Sequence, residues 1–178
     1  MKIAIASDIH GSLSALRVFL TQADALGADK ILLLGDLYYH GVRNPLPDEY
    51  KPLEVAKLLN ARKKDLIVVR GNCDSEVDRT VSEFDMVPEV VLFLGGKRIH
   101  ASHGDRYDAE RLPASEYDVV LYGHYHTGFI RKVGDTVVAN PGSPSLPKGG
   151  TVPSFLLLDE KEITLYSLDG SVLDKRVL

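Results

Sequence analysis

The fold is decided at the start of the chain, where residues 1–11 read MKIAIASDIHG. The run before Asp8 is short and apolar, as is typical of a buried β-strand, and Asp8 and His10 follow it directly. Ser12 then offers an N-cap for a helix whose apolar residues recur at helical spacing as far as Gly27. The stretch therefore predicts a strand, a polar loop and a helix, with the polar side chains at the carboxyl end of the strand.

The same order recurs twice in the first half of the chain. An apolar strand is predicted over residues 30–34 and is followed directly by residues 35–36 (GD). A helix rich in leucine and alanine, predicted over residues 53–61, leads to a third strand at residues 66–69, which is followed by residues 71–74 (GNCD). Two β–α–β crossovers join these strands, so we expect them to be parallel.

After Pro88 the pattern changes to short strands joined by tight turns. Glycine-containing turns at residues 95–96 and 134–135 predict two hairpins, and a buried strand is predicted between them at residues 118–122. Three further strands complete the C-terminal part, at residues 155–158, 163–167 and 172–177. Because so many strands cannot all extend one sheet, the sequence predicts an α/β (α+β) protein of two packed mixed β-sheets flanked by helices.

The length and composition restrict the class of protein. A chain of 178 residues with 44% hydrophobic and 26% charged residues suits one globular domain, which we expect to span residues 1–178. The single cysteine and an N-terminal apolar run broken by polar residues favour a cytoplasmic protein. No apolar stretch approaches the roughly 20 residues of a membrane span. The net charge of −4 argues against stable binding to nucleic acid, which requires a basic face.

Polar residues follow five of the predicted strands. Ligands bind outside the carboxyl ends of the strands in an α/β sheet, so loops that leave those ends should deliver their side chains to one place. Three loops of this kind come from the first half of the chain, and two strands of the second half repeat the arrangement. We therefore expect seven side chains to lie together: Asp8, His10, Asp36, Asn72, His103, His124 and His126.

This donor set points to metal ions. Carboxylate and amide oxygens with imidazole nitrogens suit manganese, iron, zinc or magnesium. Seven donors exceed one tetrahedral or octahedral site, so we expect two cations, bridged by Asp36 because it ends a buried strand between the other loops. Each motif alone has another interpretation, since Asp-x-His is often a turn or helix cap and His-x-His is often two surface histidines. His100 lies outside the pattern and is expected to be a packed or surface histidine.

Together these motifs resemble a known signature. The signature of the calcineurin-like metallophosphoesterases is matched at five places, with every ligand position filled: residues 8–10 (DIH), 35–36 (GD), 71–72 (GN), 103 (H) and 123–126 (GHYH). The chain is also similar to the small bacterial and archaeal phosphodiesterase branch of that family, the YfcE type. That likeness lies in residues 7–11 (SDIHG), 40–47 (HGVRNPLP), 70–78 (RGNCDSEVD) and 140–143 (NPGS).

The resemblance implies a fold and a metal centre. The fold would be a four-layer αββα sandwich, in agreement with the two sheets expected from the strand pattern. One metal would be held by Asp8, His10, Asp36 and His126. The other would be held by Asp36, Asn72, His103 and His124. The metal would most often be manganese, with magnesium, nickel, iron and zinc as alternatives.

The function implied is hydrolysis of a small phosphodiester. A hydroxide bridging two divalent cations would attack phosphorus and release a phosphomonoester and an alcohol. Two alternatives use the same site, a phosphomonoesterase and a nucleotide pyrophosphatase. A third alternative is a non-catalytic scaffold like the retromer subunit that resembles this family, which loss of ligands would indicate. The chain lacks the Gly-Lys-Ser/Thr phosphate loop of kinases and GTPases.

Residues beside the ligands are candidates for further roles. Cys73 follows the expected ligand Asn72, where the wider family commonly has a histidine that aids the leaving group. A neutral thiol is a weak hydrogen-bond donor, so we expect aryl leaving groups to be favoured over alkyl ones; the alternative is a thiol that merely packs there. Asp74 is the second catalytic candidate, expected to orient its neighbours rather than to donate a proton.

The loop over residues 40–47 carries the candidate substrate-binding residues, His40 and Arg43. Two prolines restrict this loop, and an arginine can make a bidentate contact with a phosphate or a carboxylate. The loop is therefore expected to contact the substrate or another subunit of a homo-oligomer. The alternative is a surface loop with a solvated arginine.

Overall fold

The computed structural model describes residues 1–178 and contains eleven strands and three helices. In chain order they are β1 (Ile3–Ala6), α1 (Leu13–Ala25), β2 (Lys30–Leu33), α2 (Pro52–Ala61), β3 (Leu66–Val68), α3 (Glu76–Val81), β4 (Glu89–Leu94), β5 (Lys97–Ser102), β6 (Val119–Leu121), β7 (Gly128–Val133), β8 (Thr136–Pro141), β9 (Ser154–Leu158), β10 (Glu162–Ser167) and β11 (Val172–Val177).

The first sheet contains the N-terminal strand at its centre. Its strand order is β11-β10-β9-β1-β2-β3. The strands β1, β2 and β3 are parallel, as the crossovers through α1 and α2 predict, and β9 joins the other side of β1 in antiparallel orientation. The β1 residues are all buried, which agrees with a continuous apolar run in a central strand. The carboxyl ends of β1, β2 and β3 consequently lie at one edge.

The second sheet is built from the two predicted hairpins and the strand between them. Its order is β4-β5-β6-β8-β7. The hairpins pair β4 with β5 and β7 with β8 in antiparallel orientation, whereas β5, β6 and β8 run parallel to one another. Both sheets are therefore mixed. The ends of β5 and β6 point toward the same edge as those of β1 to β3, because the loops that follow them contact the loops of the first sheet.

Two large apolar cores stabilise these layers. One lies between the sheets and includes Ile5, Ile99 and Leu156, all fully buried. The other lies between the first sheet and its helices, where Phe19 of α1 packs edge-on against Phe155 at 5.6 Å between ring centroids. Both cores follow from the hydrophobic effect acting on the two faces of a central sheet. The predicted fold class, an α/β sandwich of two packed mixed β-sheets, is confirmed, but helices cover only one of its two outer faces.

The outer face of the second sheet is covered without a helix. The segment 103–118 crosses it, and Ala109 packs there with Val120, Tyr122 and Val138. All three helices lie on the side of the first sheet, where α1 and α2 pack directly and α3 contacts the core only through Val81. The fourth layer of this sandwich is thus irregular chain.

The helix α3 was not predicted from the sequence. It is only six residues long and none of its residues is buried, so it leaves no apolar periodicity to read. A capping box stabilises this helix. The Ser75 side chain accepts a hydrogen bond from the backbone N–H of Asp78, and the Asp78 carboxylate accepts one from the backbone N–H of Ser75. No helix of the chain has the length and apolar character that a membrane crossing requires.

Candidate metal centre

Loops that leave β1, β2, β3, β5 and β6 meet in one cleft. They bring together the seven side chains that the sequence predicted to converge: Asp8, His10, Asp36, Asn72, His103, His124 and His126. The crevice outside the carboxyl ends of parallel strands is where an α/β sheet offers room for a ligand. Each of these strands ends at a turn that redirects the chain, and the polar side chains lie on those turns.

One group of donors surrounds His10. Its Nε2 lies 3.7 Å from Asp8 Oδ1 and 3.8 Å from Asp36 Oδ2. The Nε2 of His126 lies 3.2 Å from the His10 Nε2 and 3.3 Å from Asp8 Oδ1. Ligand atoms of Asp8, His10 and His126 all lie within 4.8 Å of one another, which is the spacing of a single cation site.

A second group of donors surrounds His103. Its Nε2 lies 2.9 Å from Asn72 Oδ1, 3.2 Å from His124 Nδ1 and 3.5 Å from Asp36 Oδ2. Asp36 Oδ2 therefore lies within 4 Å of an imidazole nitrogen from each group. A carboxylate in that position can contact two cations at once.

The chemistry of the donors fits divalent cations. Asp8 Oδ1 is completely buried and has no hydrogen-bond partner, which is costly for a carboxylate oxygen unless a cation contacts it. The outer nitrogens of three histidines are already used. His10 Nδ1–H donates to the carbonyl oxygen of Tyr39 at 2.6 Å, His103 Nδ1–H donates to the carbonyl oxygen of Leu34 at 2.7 Å, and His126 Nδ1–H donates to the carbonyl oxygen of Leu146 at 2.7 Å. Their inner Nε2 atoms are thereby oriented toward the cleft as ligands, the usual arrangement of metal-binding histidines.

The carboxylates give the centre a strong negative field. Burial pushes the pKa of Asp36 upward, but its contact with His103 and the backbone N–H of Cys73 outweighs burial and holds that pKa at about 2. Burial lowers the pKa of His103, but the carboxylates of Asp36 and Asp8 outweigh it and raise that pKa to about 9. Two buried carboxylates that hold a neighbouring imidazole in its charged form also attract a metal cation.

Backbone strain is concentrated at the same positions. Six non-glycine residues have positive φ, a region that costs an L-residue of the order of 1 kcal/mol or more. Five of the six are candidate ligands: Asp8 (57°), His10 (51°), Asp36 (56°), His124 (66°) and His126 (59°). The strained turns direct these side chains into the cleft, and such strain is typical of functional sites.

Two glycines permit the close approach of the loops. A Cβ at Gly71 would overlap the carboxylate and backbone nitrogen of Asp36. A Cβ at Gly123 would collide with Ser7 Oγ and would lie 2.8 Å from Asp8 Oδ2. Both positions must lack a side chain for the candidate ligands to occupy their present places.

Asp74 binds backbone rather than the cleft. Its carboxylate is 3% exposed and accepts hydrogen bonds from the N–H groups of Leu37, Asp36 and Gly71, each at 2.8 Å. Burial raises the pKa of Asp74, although these backbone hydrogen bonds oppose the rise. The residue joins the loop after β2 to the loop after β3.

Cys73 lies between the buried donors and the cleft. Its backbone N–H donates to Asp36 Oδ1 at 2.8 Å, and its thiol lines the cleft close to ligand atoms of His10 and Asp36. Burial, followed by the charge of Asp36, raises the pKa of this thiol to about 12. The thiol is consequently protonated near neutral pH and can donate only a weak hydrogen bond.

The structure separates the two substrate-binding candidates. Arg43 lines the cleft, which has a volume of about 380 Å³. His40 does not line it, because its ring packs edge-on between Tyr39 and Tyr50 at centroid distances of 4.8 and 5.3 Å. A larger concavity of about 690 Å³ lies against the segment 112–118 and contains no candidate ligand.

Lys148 lines the cleft and was not predicted from the sequence. It lies in the loop between β8 and β9, which is rich in proline and glycine. Its backbone N–H donates to the carbonyl oxygen of His126 at 3.0 Å, a contact between residues 22 positions apart. No local pattern signals such a contact.

Comparisons with known proteins agree with this geometry. The family model described as "Calcineurin-like phosphoesterase superfamily domain" matches residues 1–162. The chain is 41% identical over 171 residues to phosphodiesterase YfcE of Escherichia coli K12, covering 95% of this chain and 93% of that protein. It is 25% identical to the probable metallophosphoesterase YsnB of Bacillus subtilis, over 98% and 95% of the two chains.

Solved structures show the same fold. The structure described as Yfce, a phosphoesterase from E. coli, superposes with a TM-score of 0.95 at 39% identity and covers 99% of this chain and 98% of that chain. Vps29 of Entamoeba histolytica superposes with a TM-score of 0.70 at 23% identity, over 100% and 99% of the chains, which shows a shared fold alone. A family model that spans most of the sequence and a relative at 41% identity establish the family: this chain belongs to the calcineurin-like phosphoesterase superfamily.

Proposed function

We propose that the protein is a phosphodiesterase that depends on two divalent metal ions and converts a phosphodiester into a phosphomonoester and an alcohol. The observation that carries this proposal is the convergence of seven side chains with oxygen and nitrogen donors in one cleft, among them the fully buried, unpartnered Asp8 Oδ1. The relative at 41% identity is named a phosphodiesterase, which supports the same reaction class.

The donors divide into two sets that share Asp36. Asp8, His10 and His126 would hold one metal together with Asp36. Asn72, His103 and His124 would hold the other, again with Asp36. Manganese is the metal we propose, because carboxylate and amide oxygens combined with imidazole suit it; magnesium, nickel, iron and zinc are the alternatives to compare.

The chain's own residues prepare the cleft for a phosphate diester. When bound, two divalent cations lower the pKa of a shared water and neutralise charge on the phosphate oxygens. Asp36 is fixed by the backbone N–H of Cys73, and the loop that carries it is fixed by Asp74. Cys73 supplies only a weak donor near the scissile group, so we propose that reactive aryl leaving groups are cleaved fastest.

Further parts of the proposal concern the protein as a whole. We propose that residues 1–178 act as one domain, since one apolar core joins both sheets. We place the enzyme in the cytoplasm, because its single cysteine is a free thiol, the state typical of a reducing compartment. The place of Arg43 in the cleft wall favours contact with substrate over contact with a second subunit.

The test is hydrolysis of bis(p-nitrophenyl) phosphate by the purified full chain. Activity should appear on addition of Mn²⁺, disappear with a chelator and return with excess metal. Parallel assays with p-nitrophenyl phosphate separate a diesterase from a monoesterase, because the diester should have the higher kcat/KM. Absence of hydrolysis with Mn²⁺, Mg²⁺, Ni²⁺, Fe²⁺ and Zn²⁺ would refute the enzymatic proposal and favour a non-catalytic scaffold.

A further inference from the structure

Two positive side chains on the rim of the cleft have no acidic partner. Arg43 and Lys148 both line the cleft and are exposed, and neither forms a salt bridge with a carboxylate within 4.0 Å. Nearby, Lys51 and Arg17 both pair with Glu49. The only carboxylate among the cleft-lining residues is Asp36, which the metal centre uses. The rim therefore presents two uncompensated positive charges.

Arg43 and Lys148 each lie on a loop that is hydrogen-bonded to a candidate metal ligand. His10 Nδ1–H donates to the carbonyl oxygen of Tyr39, four residues before Arg43. His126 Nδ1–H donates to the carbonyl oxygen of Leu146, two residues before Lys148. In return, the backbone N–H of Lys148 donates to the carbonyl oxygen of His126. Both loops thus attach to the group of donors around His10 and His126, and neither attaches in this way to the group around His103.

Hydrogen bonds within each loop fix the backbone beside Arg43 and Lys148. Asn44 closes the first loop, because its backbone N–H donates to the carbonyl oxygen of Gly41 at 3.1 Å and its side-chain amide donates to that of His40 at 2.7 Å. In the second loop, Thr151 Oγ1 donates to the carbonyl oxygen of Lys148 at 2.8 Å. Backbone positions fixed in this way reduce the ordering cost of binding, so only the side chains of Arg43 and Lys148 need to settle.

We propose that Arg43 and Lys148 form an anion-binding subsite that selects diesters whose non-leaving part carries a second phosphate group. This inference rests on the proposed diesterase activity and names the substrate class of the same cleft. A guanidinium can bind a phosphate through two parallel hydrogen bonds, and an ammonium adds a mobile point charge. Because both loops attach at His10 and His126, the second phosphate lies on that side of the centre.

A pair of chromogenic esters tests the subsite. Both are p-nitrophenyl esters of thymidine 5′-phosphate; one has a free 3′-hydroxyl and the other a 3′-phosphate, so the scissile group and leaving group are the same. The wild-type protein with Mn²⁺ should prefer the 3′-phosphorylated ester by about tenfold in kcat/KM, mainly through a lower KM, as expected for two exposed charge-assisted contacts. The preference should shrink at 0.5 M NaCl because exposed charges are screened.

Variants assign the preference to the two residues. Arg43→Gln and Lys148→Gln should each reduce the ratio of kcat/KM values about threefold, and the double variant should bring it close to one. Lys64→Gln is the matched control, because Lys64 is exposed, has no carboxylate partner and lies on another surface. It should keep the wild-type ratio and activity.

The outcomes separate the subsite from the reaction itself. Equal hydrolysis of both esters by the wild type would refute the subsite and leave the diesterase proposal standing. A preference that survives in the double variant, or variants that slow both esters equally, would show that the preference does not come from Arg43 and Lys148. No hydrolysis of either ester with any of the five metals would refute the diesterase proposal and the subsite with it.

Discussion

The floor and the rim of the cleft are built in opposite ways. The floor contains buried and strained groups, such as Asp8 and Asp36, and the buried Asp74 behind it holds the loop of Asp36 by hydrogen bonds. The rim consists of exposed side chains on ordered loops, such as Arg43 and Lys148. Removing one hydrogen-bond partner of a buried polar group lowers stability, because water cannot replace that partner. Removing the partner of an exposed charge changes stability little. Changes in the floor should therefore affect folding and turnover, and changes in the rim should affect the choice of substrate.

Asp36→Asn should have the largest effect on turnover. The substitution keeps the shape of the side chain but removes the charge that lies between the two groups of donors. We expect kcat for bis(p-nitrophenyl) phosphate to fall more than about a hundredfold, beyond the loss typical of changes in outer partners of a metal site. Metal content, measured by elemental analysis after gel filtration, should fall as well.

The fold of this variant should survive. The Asn side-chain oxygen can still accept from the backbone N–H of Cys73, but the charged contact of Asp36 with His103 is lost, so the thermal midpoint in chelator should fall by about 5–10 °C while unfolding stays cooperative. Asp85→Asn is the control, since Asp85 is exposed and lies away from the cleft. A variant that kept near wild-type activity with two metals bound would show that Asp36 is not the bridge.

Asp74→Ala should have the largest effect on stability. It would leave the backbone N–H groups of Asp36, Leu37 and Gly71 without their acceptor inside the protein. Each buried unpaired group costs about 1–3 kcal/mol, so we expect the free energy of unfolding to fall by about 3 kcal/mol or more, measured by urea titration in chelator. Asp78→Ala removes the capping carboxylate of α3 and should cost only about 1 kcal/mol. Equal losses in the two variants would contradict the comparison between buried and exposed carboxylates.

Gly71→Ala should have a somewhat smaller effect and should damage the centre directly. The new Cβ would overlap the Asp36 carboxylate, so either the loop after β3 or the side chain must move. Overpacking of this kind costs about 1–3 kcal/mol, and Mn²⁺ affinity should fall with it.

Gly134→Ala is the control that separates the effect of steric overlap at Gly71 from the effect of backbone strain. Gly134 has positive φ but open space around it, so alanine there should cost about 1–2 kcal/mol through its backbone alone. Mn²⁺ affinity, measured by isothermal titration calorimetry, should stay unchanged in this variant. An unchanged affinity in Gly71→Ala would show that the close approach to Asp36 is dispensable.

The floor could be predicted from the sequence because its residues follow the strands directly. Asp8 and His10 come after a short apolar run typical of a buried strand, and Asp36 repeats that placement. The direction of parallel strands then brings the loops to one edge. The seven candidate ligands do lie together for this reason.

The rim could not be predicted in the same way, because long-range hydrogen bonds place it. Lys148 reaches the cleft through contacts with His126, and nothing in the local sequence indicates them. The loop of His40 was predicted to contact the substrate or another subunit, and nothing in the local sequence indicated that the His40 ring packs between Tyr39 and Tyr50. The cover of the second sheet, residues 103–118, has no regular periodicity to read.

Cys73→His should have the smallest effect and lies where floor and rim meet. The backbone of Cys73 holds Asp36, but its thiol faces the cleft. A histidine at this position could donate a proton near neutral pH, whereas a thiol is a weak hydrogen-bond donor. On a series of Mn²⁺-dependent diester substrates with rising leaving-group pKa, we expect a gain of about tenfold for the poorest leaving group and little change for p-nitrophenol. Cys73→Ala is the matched control and should show no such gain, because a methyl group donates neither a proton nor a hydrogen bond. A uniform change across the series would mean that Cys73 only packs beside the centre and that its thiol does not set the preference for aryl leaving groups.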